Sequence, residues 1–136
     1  MEFHGVKVAI LHQNKLLMIL RDDKPGLFNA NMWDFPGGGR EGEETSIECA
    51  IREIKEELNI ILSPESFIWE KAYPAQKDPQ QKAYFLVAKL PDEIVDKIKL
   101  GEEGQRWKFM DQESFFERVD VIDAIKGRFK DYLNLK

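Results

Sequence analysis

The sequence predicts an α+β fold, a mixed β-sheet lying between helices. Two observations predict it. Short runs of apolar and β-branched residues, closed off by Gly, Pro, Asn and Asp, recur in both halves of the chain. One amphipathic helical stretch stands among them and another ends the chain. At 136 residues, 43% apolar and 33% charged, the chain is sized for one domain, residues 1–136, with a single core. Neither a repeat nor a low-complexity segment divides it.

Taken in order, residues 6–11 are mostly apolar, which predicts a strand buried on both faces. Residues 13–15 form a turn and 16–21 a second strand, so the chain opens with a hairpin. Pro25-Gly26 breaks regular structure and opens a loop that runs to Asn31. Residues 32–35 read as a short strand leading into a glycine turn, residues 35–39. Ile47, Ala50, Ile51, Ile54 and Leu58 then recur at spacings of 3, 1, 3 and 4, one apolar face of a helix, with Thr45 or Ser46 as its N-cap. Ser63-Pro64 stops helical structure. A strand over 66–73, an exposed loop over 74–81 and the clearest β segment, 83–88, follow. Residues 91–97 read as a helical turn, 98–104 as a loop with two acids, and 105–110 as a strand. Asp111 caps a short helix through Phe116, and Ile122, Ile125, Phe129 and Leu133 mark a last helix.

The central helix carries the chemistry. Glu53, Glu56 and Glu57 fall within one turn, spread over roughly 100° of its circumference. Like charges that close destabilise a helix and raise one another's pKa unless a cation is shared. Oxygen-only clusters suit hard cations, Mg²⁺ first, with Mn²⁺ or Ca²⁺ after it. Arg52, one turn before Glu56, can hold that carboxylate in place. Gly37 and Gly38 permit close backbone approach, so a carbonyl there can also reach a metal. Glu44 reads as beginning the helix, in a structural role.

From Gly38 the chain reads Gly, five residues, Glu44, seven residues, then Arg52-Glu53-Ile54-Lys55-Glu56-Glu57-Leu58-Asn59-Ile60. Residues 38–60 closely resemble the Nudix box, with one departure: Asn59 stands where the family usually has glycine. That position reads as a left-handed helix cap, for which asparagine is the next most tolerant residue. The resemblance implies an α/β/α sandwich and Mg²⁺-dependent hydrolysis (Mn²⁺ as the alternative) of a nucleoside diphosphate linked to another moiety. It makes Glu53, Glu56 and Glu57 metal ligands, with Glu53 doubling as or supporting the base. Enzymes resembling the oxidised-nucleotide sanitisers bring another glutamate to the metals on a loop like Glu103-Gly104-Gln105, which assigns Glu103 to the metal or the base. Those enzymes read the purine edge near the C-terminus, where this chain offers Asp120 and no carboxamide.

Arg21, Lys24 and Arg40 are the cations nearest the box, either phosphate ligands or solvated charges. Phe35 and Trp33 are either an aromatic wall for a base or core residues. Cys49 reads as packing, and His4 and His12 as structural. No run is long enough to span a membrane and no leader opens the chain; one cysteine makes no internal disulfide and fits a reducing cytoplasm. A net charge of -5 argues against nucleic-acid and anionic-membrane binding. The expected partner is a small nucleotide, and the expected assembly a monomer or homodimer.

The leading expectation is cleavage of a nucleoside triphosphate, oxidised or not, to NMP and pyrophosphate. Hydrolysis of a nucleotide sugar, ADP-ribose or a dinucleoside polyphosphate is the alternative. ADP-ribose enzymes of the family often carry an extra N-terminal domain, whereas this chain opens almost on its first strand. A binding module without turnover ranks third, since a binder has no need of the repulsive carboxylates.

Overall fold

The computed structural model describes residues 2–136. Strands β1 (Gly5–His12) and β2 (Lys15–Leu20) form the expected hairpin, turning through Gln13 and Asn14 at φ 51° and 65°. β3 (Trp33–Asp34) and β4 (Gly37–Gly39) lead to helix α1 (Ser46–Leu58). β5 (Phe67–Pro74), β6 (Lys82–Lys89) and β7 (Arg106–Met110) come next, before α2 (Gln112–Glu117) and α3 (Asp123–Leu135). Short 3₁₀ turns occupy Pro64–Ser66 and Asp92–Lys97.

The sheet is mixed. β1 pairs in parallel with β6, and the other pairings are antiparallel, β5 with β6 and β7 with β2 among them. On its other edge β1 meets β2 only near the hairpin turn, at Leu11–Leu16 and His12–Lys15. Towards its start it meets β4 instead, Gly5–Gly39 through Lys7–Gly37, while β3 pairs with the far end of β2. The hairpin strands therefore fork, and residues 33–39 fill the fork. The glycine segment expected as a turn is a strand of that wedge. It has no side chains to show a period, so only its backbone pairing reveals it. Two of its glycines sit where a side chain would collide. Gly37 sits at φ 155°, where a Cβ would strike the Val6 carbonyl, and a Cβ on Gly38 would overlap the Glu53 carboxylate.

Alternation divides β1 between two cores. Val6, Val8 and Ile10 pack with Cys49, Ala50, Ile54 and Leu58 of α1. Ala9 joins the other core with Trp33, Phe35, Phe85, Phe115, Ile125 and Phe129, beneath α2 and α3. α1 is capped as its sequence proposes: Thr45 forms a capping box with Glu48, and Asn59 takes the left-handed conformation at φ 59°, ψ 28°. The helix ends there, before Ser63-Pro64 is reached. Its last carbonyls are met by the loop before β7, where Lys99 N–H donates to Leu58 O at 3.0 Å and Gly101 N–H to Glu57 O at 2.8 Å. No helix among the described residues is long and apolar enough to cross a membrane.

Candidate active site

The fork and α1 enclose an acidic hollow. Glu53 and Glu57 line it from α1, Glu103 and Gly104 from the loop before β7, Gly37, Gly38 and Gly39 from β4, and Lys7, Arg21 and Lys24 from the strands and loop opposite. Glu57 accepts the Gly37 N–H at 2.8 Å. Burial, the largest influence, pushes its carboxyl up to about 8 against the pull of Lys7 and of that hydrogen bond. Burial likewise raises Glu53, partly offset by Arg52.

Arg52 stands among four carboxylates. Its nitrogens lie 2.7 Å from Glu44, 2.8 Å from Glu53, 3.2 Å from Glu56 and 3.4 Å from Glu41. It also donates to the Gly39 carbonyl at 2.7 Å, tying helix to floor. These hydrogen bonds, with Glu44 foremost, raise Arg52 and lower Glu44. Glu44 precedes the N-cap rather than beginning the helix, so its partner is this guanidinium more than the helix dipole. Cys49 is a fully buried free thiol pushed up to about 12, chiefly by burial.

Of the expected site residues, Glu53, Glu57, Glu103, Gly37, Gly38, Arg21 and Lys24 converge on this hollow, and Phe35 borders it from the core. Glu56 does not line it; its side chain is 55% exposed and turned to Arg52. Four readings need correction. Phe35 is 1% exposed, its ring packed 5.3 Å from that of Phe115 and 5.9 Å from that of Phe85, so no face is left to stack a base. Trp33 is buried as well. Arg40 donates to Glu44 O at 2.8 Å and lies 4.6 Å over the Phe3 ring, so it fastens the N-terminal segment instead of facing the hollow. Asp120 is held by Arg118 through two bonds of 2.8 and 2.9 Å and lines neither hollow described here.

Sequence reasoning missed Lys7, Asp34 and Arg128. Asp34, 4% exposed, accepts from Lys7 Nζ at 2.6 Å and lies 3.6 Å from Arg21, so one buried acid orients two cations of the hollow. A second hollow of about 190 Å³ adjoins the first, sharing Lys7, Arg21, Asp34, Gly38 and Gly39. Its further walls are Phe28 and Asn29, the 75–77 loop, the starts of β1 and β6, and Arg128 of α3. The available signal was a lone charge inside an apolar run for two of them, Lys7 between Val6 and Val8 and Asp34 between Trp33 and Phe35; Arg128, among Lys126, Lys130 and Asp131, carries no such mark.

The donors around the acidic hollow are all oxygen, carboxylate and glycine carbonyl, which fits a hard divalent cation. Among the described residues no three acidic or histidine side chains stand close enough to ligate one as they lie. Glu53 is turned to Arg52 and Glu57 to Gly37.

Carboxylates facing cations over a glycine floor, within a mixed sheet flanked by helices, define a phosphate-handling hydrolase class. Residues 2–131 match the NUDIX domain model, and the chain belongs to this family of hydrolases acting on phosphoric anhydrides, which generally use divalent metals. It is 31% identical over 97% of its length to an ADP-ribose pyrophosphatase of Methanocaldococcus jannaschii, spanning 73% of that protein. In fold it is similar to the MutT protein of Methanosarcina mazei Go1 (TM-score 0.71, 21% identity, 100% of this chain and 99% of that one). It is also similar to a bifunctional NMN adenylyltransferase/ADP ribose pyrophosphatase of Francisella tularensis crystallised with AMP and a manganese ion (TM-score 0.76, 20% identity, 98% of this chain). The chain spans 42% of that protein's length.

Proposed function

We propose that this chain cleaves the phosphoanhydride of a nucleoside triphosphate, releasing NMP and pyrophosphate, with Mg²⁺ as its cation and the two adjoining hollows as its site. One observation carries the reading. The acidic hollow sets Glu53, Glu57 and Glu103 against Lys7, Arg21 and Lys24, and it opens into a hollow with apolar walls. Carboxylates to hold cations, cations to hold phosphates and apolar surface to hold a base are what a nucleotide polyphosphate needs.

The cation, when bound, neutralises phosphate charge and makes water more acidic. The chain's own residues do the rest. Lys7 and Arg21, fixed by Asp34, hold phosphate oxygens, and Lys24 extends that cationic wall. Arg52 keeps Glu53 and Glu56 in place. Water adds to one phosphorus, the P–O–P bridge breaks, and the departing phosphate keeps the bridging oxygen. The proton lost by water passes to a carboxylate of the hollow. Glu57, bonded to the Gly37 N–H, and Glu53 are the α1 carboxylates placed in the hollow to take it. Glu103 faces the α1 carboxylates from another segment and can share in orienting the water.

A second reading, cleavage of a nucleotide sugar such as ADP-ribose, is supported by the name of the Methanocaldococcus jannaschii relative. The free buried thiol of Cys49 fits a reducing cytoplasm, and the pattern of one site per chain suits a monomer or homodimer. A panel of nucleoside triphosphates, nucleotide sugars, ADP-ribose and dinucleoside polyphosphates, incubated with Mg²⁺ and resolved by chromatography, tests both substrate readings. NMP and pyrophosphate from a triphosphate support the first reading, and NMP with a sugar phosphate supports the second. No cleavage of any member overturns both.

A further inference from the structure

Arg128 stands apart from the other arginines beside the site. Arg52 is surrounded by acids, Arg118 is paired with Asp120, and Arg21 lies near Asp34. Arg128 is 7% exposed, and among the described residues no carboxylate lies within ion-pair distance of it. The acid one turn further along α3, Asp131, is taken by the Tyr73 hydroxyl at 2.7 Å. Arg128 donates to the Pro74 carbonyl at 2.8 Å and lies 4.9 Å over the Tyr73 ring. Those contacts orient its fork, and Arg128 belongs to the lining of the second hollow. A guanidinium carries five N–H donors and no acceptor, and the bond to Pro74 uses only one of them. A ligand of this hollow that offers acceptors matches the others.

The walls say which acceptors. Val6, Ala75 and Ala83 line the hollow together with Phe28, which is 42% exposed and carries Lys77 5.5 Å over its ring. Apolar surface and an accessible aromatic ring suit a flat base more than a solvated anion. A planar guanidinium matches the O6/N7 acceptor pair of a purine in two parallel bonds. Adenine offers N7 beside an amino group, and that would set donor against donor.

Given the nucleotide-hydrolase reading, on which this rests, we propose that Arg128 reads the O6/N7 edge of a 6-oxopurine (guanine or hypoxanthine) stacked on Phe28, and so sets the base preference of this chain. The relative named for ADP-ribose points to the opposite order of bases, so the two are separable by measurement.

The test is calorimetric binding of GMP, IMP, AMP and ribose 5-phosphate to the full chain in Mg²⁺ buffer. A good bidentate pair discriminates between bases by a factor of roughly 5–150. GMP and IMP should therefore both bind at least about 5-fold more tightly than AMP. Arg128→Lys keeps the charge but loses the fork, and should bring GMP to within about 3-fold of AMP while AMP is unchanged. Phe28→Ala, on the exposed loop, should weaken GMP and AMP alike. AMP binding as tightly as GMP in the unaltered chain overturns the inference, and that comparison needs no variant to fold. IMP binding as weakly as AMP overturns it too, because the edge read would then be the 2-amino side. Ribose 5-phosphate binding as tightly as GMP assigns the hollow to phosphate and has the same effect. Turnover without base preference removes the role of Arg128 and leaves the hydrolase reading standing. A GMP preference that Arg128→Lys abolishes, in a chain that cleaves no anhydride, does the reverse.

Discussion

Replacing Asn59, the one departure from the box, separates backbone strain from side-chain bonding at the end of α1. The residue sits at φ 59°, ψ 28°, its N–H donates to Lys55 O at 3.0 Å, and its Nδ2 donates to Lys99 O at 2.6 Å. Asn59→Gly relieves about 1 kcal/mol of left-handed strain and loses a side-chain hydrogen bond worth about 1 kcal/mol. The two offset, so stability should move by no more than about 1 kcal/mol either way. Asn59→Val keeps the strain, adds β-branching that resists positive φ, and also loses the bond, for a cost of about 2–3 kcal/mol. For a domain of this size a change of 1 kcal/mol moves Tm by roughly 3–4 °C. Thermal melts followed by circular dichroism in metal-free buffer should therefore show a fall of roughly 6–12 °C for Asn59→Val and a change within about 4 °C for Asn59→Gly. A valine variant that melts with the unaltered chain would refute the cap. A glycine variant that falls as far as valine would show that the Lys99 bond, and not the backbone, holds the helix end.

Glu57→Gln removes a carboxyl of the hollow at nearly constant shape and should lower kcat at least about 100-fold; turnover close to the unaltered chain, in a folded variant, would remove Glu57 from the site. Glu103→Gln should cost roughly 10–1000-fold in kcat with nucleotide affinity almost unchanged, while Glu102→Gln, absent from the hollow's lining, should be near normal. Two silent substitutions would return that loop to the solvent. Cys49 should resist alkylation by iodoacetamide at pH 8.5 in the folded chain and react once it is unfolded, because the native thiol is pushed up to about 12. Since its folded pKa lies above the ordinary value, its contribution to stability is full at neutral pH and is lost as pH climbs from about 9 towards 12. Rapid labelling of native protein at pH 8.5 would contradict this.

Much of α1 was legible because its signals are local. The apolar period, the Thr45–Glu48 box and the Asn59 cap all lie within a few residues of one another. What escaped is set by distant contacts. Lys7 and Asp34 meet across 27 positions, and nothing in either neighbourhood announces the other. Trp33 and Phe35 lie on the same side of a strand too short to reveal which side is inward, and the structure puts both in the core. Arg128 has the helical phase of the apolar face, three residues from Ile125 and one from Phe129, but its charge places it outside a count of apolar positions.

The forked hairpin has a consequence for anyone wishing to retune this domain. Its floor is backbone: three glycines paired with β1, without side chains to exchange and, at Gly37, without room to add one. The groups facing across the second hollow come from separate pieces of chain, Phe28 from one loop, Lys77 from another and Arg128 from the last helix. Phe28 and Lys77, on exposed loops, can be varied without disturbing the pairing beneath them, whereas Arg128 is tied to Pro74 of β5. The domain behaves as a fixed anvil with interchangeable jaws. Libraries aimed at a new leaving group or base belong first at those two loop positions, and changes at Gly37 should yield misfolded chains in place of altered specificity.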